Sequence, residues 1–239
     1  MLTPTAAEEV SGHPRAAHIP QVAAVTRRGM LTASMAMAGA ALAGGIAPAF
    51  GQKPLLRETA EDALGPFFPL TVPADHDFDL TVISGKKGRA LGPLLYVSGR
   101  VVNTRGEPLA NALLEVWQAN AAGRYAHAGD NTNKSPLDPN FQGYARIRTG
   151  ADGSYHLKTV NPGAYEDRTR HIHFDVRGKN TRLITQMYFE GEPLNDTDPL
   201  LKAQKPDDRK TLISRPGTPA GKQERDALVV AWDIVLAFG

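Results

Sequence analysis

A chain of 239 residues with 41% apolar content is long enough to bury one core and carry appendages. Its formal charge of +2, with no basic run interleaved with aromatics, gives no basis for a nucleic-acid partner. The lack of cysteine excludes disulfides, thiolate metal sites and cysteine nucleophiles, so any metal must be held by His, Tyr, Asp or Glu.

Residues 1–26 are rich in Ala, Thr and Pro and have no period. TRRGML at 26–31 leads into an apolar run from Leu31 to Phe50, and its small residues fit an export signal better than a permanent membrane helix. The Arg27-Arg28 pair resembles a twin-arginine export signal, with Gly29 and Met30 standing where that pattern has a polar residue and Phe. A membrane anchor or a chance arginine pair is the other reading. Ala47-Pro48-Ala49 and Ala49-Phe50-Gly51 offer small-x-small cleavage sites, so residues 1–51 are expected to be a cleaved signal. The mature protein is then periplasmic or extracellular, without stable membrane association. The resemblance further implies export in the folded state, with a cofactor already bound.

Residues 52–90 contain an acidic patch and then GPFFPLTVPADHDFDLT, dense in Pro and aromatics, which reads as an extended arm over a domain surface and not as a core element. Within it, His76 between Asp75 and Asp77 reads as a solvated loop histidine. The globular domain is expected at 91–239. LLYVSGRVV is a strand pattern, VNTRGEPL a turn, ALLEVWQAN a second alternating run, and GYARIRT and SYHLKTV a pair joined by the hairpin signal GADG. HIHFDVRG, RLITQMYFEG, a polar stretch from Glu192 to Glu224 with room for a short helix, and ALVVAWDIVLAF follow. The 23 Gly and 18 Pro suit many strands and turns. There is no internal repeat, and the predicted fold is all-β, an antiparallel β-sandwich with long loops and an extended amino-terminal arm. Trp117 and Trp232, on strand patterns, are expected in its core.

The chemistry concentrates in NPGAYEDRTRHIHFDV, residues 161–176. Side chains alternate along a strand, so His171 and His173 share one face while Ile172 and Phe174 take the other. Two neutral imidazoles on a rigid strand are half of a metal site, although a His-x-His pair by itself is weak. Tyr125, Tyr165 and Arg168 are the further candidates. A free phenol has a pKa near ~10, so a His2Tyr2 set that ionises its tyrosines at neutral pH needs a strong Lewis acid, with Fe(III) the ion most suited. The second ligand such a centre favours is oxygen-rich and electron-donating, as a catechol is.

The runs LLEVWQANAAGRYAH (113–127), PLDPNFQGYARIRTGADGSYHLKTVNPGAY (136–165), RTRHIHFDV (168–176) and TRLITQMYFEGEPL (181–194) resemble the catalytic chain of the intradiol ring-cleavage dioxygenases, in particular the protocatechuate 3,4-dioxygenase branch. The resemblance spans roughly Gly92 to Leu236. It implies that Tyr125 stays on the iron, that Tyr165 is displaced by substrate, and that His171 and His173 are the other ligands. It also implies that Arg168 lies beside the substrate ring and that Gln186 lines the pocket. The implied reaction joins a catechol and O2, by way of an anhydride, to a cis,cis-muconate-type diacid. Tyr165 is the expected base, and Arg168 a fixed charge that stabilises carbanion character on the ring.

Departures from that pattern matter. Five residues separate Tyr165 from His171, where protocatechuate enzymes carry a longer, Trp-containing insert, and the chain lacks the helical amino-terminal domain of catechol and hydroxyquinol enzymes. The Gly65-Pro66-Phe67 segment is therefore a candidate for completing the pocket, in a monomer, a homo-oligomer or an assembly with a related partner chain. Two other readings stand beside this one. VSGRVVNTRGEPLANALLEVW with GADGSYHLKTVNPGAY also resembles prealbumin-like binding modules of secreted proteins, which carry no metal, and His171 with His173 alone could serve a zinc hydrolase. Without the resemblance, Tyr125 is a packed loop aromatic, Arg168 a partner for Glu166 or Asp167, and Gln186 a cap on a sheet edge; His127 and His156 are surface or core residues.

Overall fold

The computed structural model describes residues 54–219, 221 and 223–237, so the export segment expected at 1–51 lies outside it. In chain order the strands are β1 (Leu94–Asn103), β2 (Leu113–Trp117), β3 (Tyr144–Arg148), β4 (Ser154–Val160), β5 (His171–Arg177) and β6 (Arg182–Phe189). A 3₁₀ turn at Pro193–Asp196 and two short helices, α1 (Pro199–Ala203) and α2 (Pro206–Leu212), precede β7 (Ile213–Pro216), β8 (Leu228–Ala231) and β9 (Ile234–Leu236). No helix among the described residues is long and apolar enough to cross a membrane.

Period-two alternation decides what each strand buries. Ile172, Phe174 and Val176 of β5 join Leu114 and Val116 of β2 and Met187 of β6 on one side of the core. Leu95, Val97 and Val101 of β1 and Leu157 of β4 meet them from the other layer, and each side chain so buried contributes about 1.5–3 kcal/mol. The result is a β-sandwich. Hydrogen bonding follows the order β3-β2-β5-β6-β7-β8-β1-β4, with β9 also beside β1. Most neighbours are antiparallel, but β1 runs parallel to β8 and β9, and β6 parallel to β7. A parallel pair needs a long crossover, and the segment carrying α1 and α2 supplies it between β6 and β7. Ile213 and Ser214 pair with β6 while Arg215 and Pro216 pair with β8, so β7 passes from one layer to the other. Trp117 and Trp232 are both buried, as the strand pattern predicts.

The GADG turn forms, with Gly153 at φ +78 and Gly150 N–H bonded to Ser154 O. Its flanking strands nevertheless do not pair with each other: β3 pairs with β2 and β4 with β1. Thr149 explains the divergence. Its hydroxyl accepts from Ala112 N–H at 2.9 Å and donates to Leu109 O at 2.6 Å, which ties the end of β3 to the entry of β2 and sends the chain across to the other layer.

The segment expected to lie over the surface contributes Leu80 and Ala90 to the main core. It also closes sheet edges that would otherwise be open. His76 O accepts from Arg146 N–H of β3 at 2.8 Å, while Phe78 O and Leu80 N–H bond Lys158 of β4 at 2.8 Å each. Farther upstream, Thr59 N–H donates to Val235 O and Asp62 N–H to Ile184 O, both at 3.0 Å, so the segment lies between β9 and β6. His76 and its two aspartates serve local turns: His76 Nδ1 bonds Pro73 O, Asp77 accepts from Asp79 N–H and Asp75 from Ser84 N–H.

Candidate metal centre

Strand β5 delivers two imidazoles to one face, His171 and His173, with ring centroids 4.9 Å apart and both side chains buried. His171 Nδ1 donates to Thr169 O at 2.6 Å, which leaves Nε2 as the free lone pair, 3.3 Å from the Tyr165 hydroxyl. His173 lies flat on Trp117, its register partner on β2, with centroids 4.9 Å and planes 8° apart. Burial, reinforced by the Arg168 charge, pushes His171 down to about 3. Burial, then the neighbouring His171, holds His173 well below the ordinary imidazole value. Both rings are therefore neutral, the state that donates a lone pair.

The two tyrosines arrive on loops that touch through glycine. Gly123, at φ +79, lies so close to Ala164 that an added Cβ would sit 2.4 Å from its carbonyl oxygen, and a Cβ on Gly163 would sit 2.3 Å from Gly123 N. Only a Gly–Gly approach lets GRY and PGAY set their rings against each other, at a centroid distance of 5.5 Å and near right angles. Tyr125 N–H is anchored on Asp130 at 2.8 Å. Tyr165 opens a tight turn closed by two backbone bonds to Arg168, with Glu166 in the left-handed region at φ +51. Burial raises both phenols above their ordinary value, Tyr125 the further, so neither ionises without a cation beside it.

Tyr125 Oη and His173 Nδ1 are buried and meet no hydrogen-bond partner among the described residues. Buried polar groups are otherwise almost always bonded, so two such atoms in one cluster of phenols and imidazoles fit a metal ion held by Tyr125, Tyr165, His171 and His173. Among the described residues no group of three or more His, Cys, Asp or Glu could hold a metal, so a ligand set at this cluster would have to include the tyrosines. A prealbumin-like module has no use for this convergence.

Arg168 stands beside the cluster and is bound to Asp198, not to Glu166 or Asp167. Its Nε donates to Asp198 Oδ2 at 2.9 Å, and its Nη2 donates to Gln186 Oε1 at 2.6 Å and to Tyr188 Oη at 3.1 Å. Gln186 lies within β6 opposite His173 and is fully buried, so it caps no sheet edge. Asp198 also caps α1, accepting from Leu200 and Leu201 N–H at 3.0 Å each. The amino-terminal segment closes the arrangement. Phe67 packs 4.6 Å from Tyr125 and 6.2 Å from Tyr165, and Gly65 lies against His173. A cavity of about 270 Å³ adjoins on the Tyr125 side, lined by Phe67, Leu70, Trp117, His127 and Tyr144.

All six predicted residues thus come together, and three more join them that sequence reasoning did not single out: Asp62, Tyr188 and Asp198. The Asp198-Pro199 step carries a helix-start signal, and Tyr188 shares a strand face with Gln186. For Asp62 no local signal exists. His127 contacts Phe67 at 5.8 Å, and His156 packs against Phe78, away from the cluster.

A family model described as Dioxygenase matches residues 64–238. The chain is 42% identical over 190 residues to the protocatechuate 3,4-dioxygenase beta chain of Burkholderia cepacia, covering 76% of this chain and 80% of that one. It is 31% identical over 178 residues to the alpha chain of the same organism, covering 69% and 88%. Among solved structures, the dioxygenase domain of a dioxygenase–carbohydrate-binding protein fusion from Streptomyces sp. SirexAA-E superposes with a TM-score of 0.59 at 32% identity, covering 77% of this chain and all of that one. A 3-chlorocatechol 1,2-dioxygenase from Rhodococcus opacus, at 24% identity and a TM-score of 0.60 over 77% of this chain and 74% of that one, shares the fold.

Proposed function

This chain belongs to the intradiol ring-cleaving dioxygenases, and on that footing we propose that Tyr125, Tyr165, His171 and His173 hold Fe(III) and that the enzyme opens a catechol between its two hydroxyls with O2, giving a cis,cis-muconate-type diacid. The observation that carries this reading is the unpartnered, buried Tyr125 hydroxyl within one cluster of two phenols and two neutral imidazoles. Fe(III) held by Tyr125, Tyr165, His171 and His173 would supply the Lewis acidity that favours the ionised form of phenols and the electronic activation of an oxygen-rich aromatic ligand.

The chain's own residues do the rest. Tyr165, half-buried and already hydrogen-bonded to His171, is the more accessible phenol, and as a phenolate its Oη accepts a proton from one substrate hydroxyl. The Arg168 guanidinium, fixed along one edge by Asp198 and at Nη2 by Gln186, places a cation where negative charge develops on the ring. Its preset partners leave little to reorganise during reaction. Phe67 walls the site on the Tyr125 side.

The substrate class this reading favours is a catechol of the protocatechuate type, supported by the identity to a protocatechuate 3,4-dioxygenase beta chain. That relatives are named as alpha and beta chains of one enzyme supports assembly with a second copy or a related chain, which the solution mass would show. Export by a twin-arginine-type route to the periplasm or beyond rests on Arg27-Arg28 and the apolar run after it; replacing both arginines with lysine should retain the protein in the cytoplasm. The decisive experiment combines metal analysis, visible absorption and O2 uptake against a panel of catechols with product spectra. A wine-red protein with one iron per chain and cleavage between the hydroxyls is the expected result. A colourless protein that refuses ferric iron, or cleavage beside the hydroxyls, would overturn the assignment.

A further inference from the structure

Residues 60–63 run along β6, where Ile184, Thr185 and Gln186 each bond to the segment. Asp62 N–H donates to Ile184 O at 3.0 Å, Thr185 Oγ1 donates to Ala60 O at 2.8 Å, and Gln186 Nε2 donates to Ala63 O at 2.7 Å. The last of these has a directional consequence. With its amide nitrogen committed to Ala63, Gln186 turns its oxygen toward Arg168, whose Nη2 donates to it at 2.6 Å.

Tyr188 is oriented the same way. It donates its single proton to Asp62 Oδ2 at 2.8 Å, which leaves an oxygen lone pair for Arg168 Nη2 at 3.1 Å. Among the described residues the other acceptor the Tyr188 hydroxyl reaches is Gln186 Oε1, also at 3.1 Å. Without the Asp62 carboxylate, the phenol proton turns to that oxygen and competes with Arg168 for it. Asp62 does not touch the guanidinium, yet it reaches both partners of Nη2: Oδ2 accepts from Tyr188 at 2.8 Å, and Oδ1 accepts from Gln186 Nε2 at 3.4 Å beside the Ala63 carbonyl.

We propose that Asp62 is a positioning residue for ring cleavage: through Tyr188 and Gln186 it fixes the Arg168 guanidinium, so the amino-terminal segment is part of the catalytic apparatus. The inference rests on the reading of Arg168 as the cation beside the substrate ring. It goes beyond that reading in assigning the orientation to a carboxylate from the segment ahead of the first strand.

The test is steady-state O2 uptake by iron-loaded Asp62→Ala and Asp62→Asn, each alone and in a Tyr188→Phe background, alongside Arg168→Lys. Positioning groups of this kind are typically worth about 10–100-fold. Asp62→Ala is expected to lower kcat by at least about tenfold with KM changed less than about twofold, on the low side of that range. The resting charge-transfer band should not move, since no proposed iron ligand is touched. Asp62→Asn should recover most of the loss, because its amide oxygen still accepts from Tyr188. In the Tyr188→Phe background Asp62→Ala should cost less than about twofold, the signature of one coupled path. Unchanged kcat in Asp62→Ala overturns the proposal, as does an equal loss in both backgrounds or a loss that tracks iron content. If Arg168→Lys turns over at the full rate, the reading of Arg168 falls first; if Arg168→Lys is impaired and Asp62→Ala is not, only the role of Asp62 falls.

Discussion

Replacing Gly65 with Ala tests how closely the amino-terminal segment is fitted to the imidazole pair. Gly65 has φ +75, a conformation that costs a residue with a Cβ roughly 1–2 kcal/mol. The new Cβ would also meet Cε1 of His173 at 3.0 Å, so the ring must give by a few tenths of an ångström. That ring is stacked on Trp117, itself 1% exposed, so it cannot move without disturbing a packed indole. In a domain of this size 1 kcal/mol corresponds to about 2–4 °C, so iron-free Gly65→Ala should melt about 2–8 °C below the wild type. The displaced His173 should also lower iron occupancy after a fixed ferric challenge. Calorimetry of the iron-free proteins and metal analysis of the loaded ones measure the two effects separately. A variant that melts with the wild type and takes up iron equally would refute the contact and the strain together.

Three further outcomes are expected. Glu166 occupies the left-handed region at φ +51 on an exposed turn, so Glu166→Gly should raise the urea midpoint by the equivalent of about 0.5–1 kcal/mol; a lower midpoint would count against strain there. Iron-free protein should lose stability in mild acid, because the buried His171 is pushed down to about 3 and the unfolded chain takes up its proton first. The contribution is intact above about pH 6.5 and shrinks as pH falls, by about 2 kcal/mol at pH 5 for this one group. A pH dependence no steeper than that of His171→Gln would contradict it. Phe67→Ala removes a ring packed 4.6 Å from Tyr125, a contact worth about 0.5–1.5 kcal/mol, so the iron-free variant should lose at least that much stability in urea unfolding; its substrate KM should rise as well, and an unchanged KM would remove Phe67 from the pocket wall.

Much of the candidate site is legible in the chain because its elements are local. His-x-His on an alternating run can only place both rings on one face, and β5 does so. The glycines ahead of Tyr125 and Tyr165 stand in loops, where a missing Cβ signals close approach, and the two loops meet at those glycines. What could not be read are the partners. Arg168 has two acidic neighbours in sequence, Glu166 and Asp167, and takes neither, because the tight turn carries its side chain inward to Asp198 thirty residues on. The same limit explains the GADG turn, where the local signal is right about the turn and silent about which strands pair, since pairing is settled by long-range contacts such as those of Thr149.

Composition and alternation alone determined the all-β class, the face of β5 that carries the imidazoles, and the absence of any thiol from the site, because each follows from residue type and a two-residue period. Only the tertiary structure decided that residues 54–90 supply core packing, seal both sheet edges and lay Asp62, Gly65 and Phe67 against the cluster. A segment without regular hydrogen bonding of its own has no period to read. Its place is set by the donors and acceptors that β3, β4, β6 and β9 leave open for it.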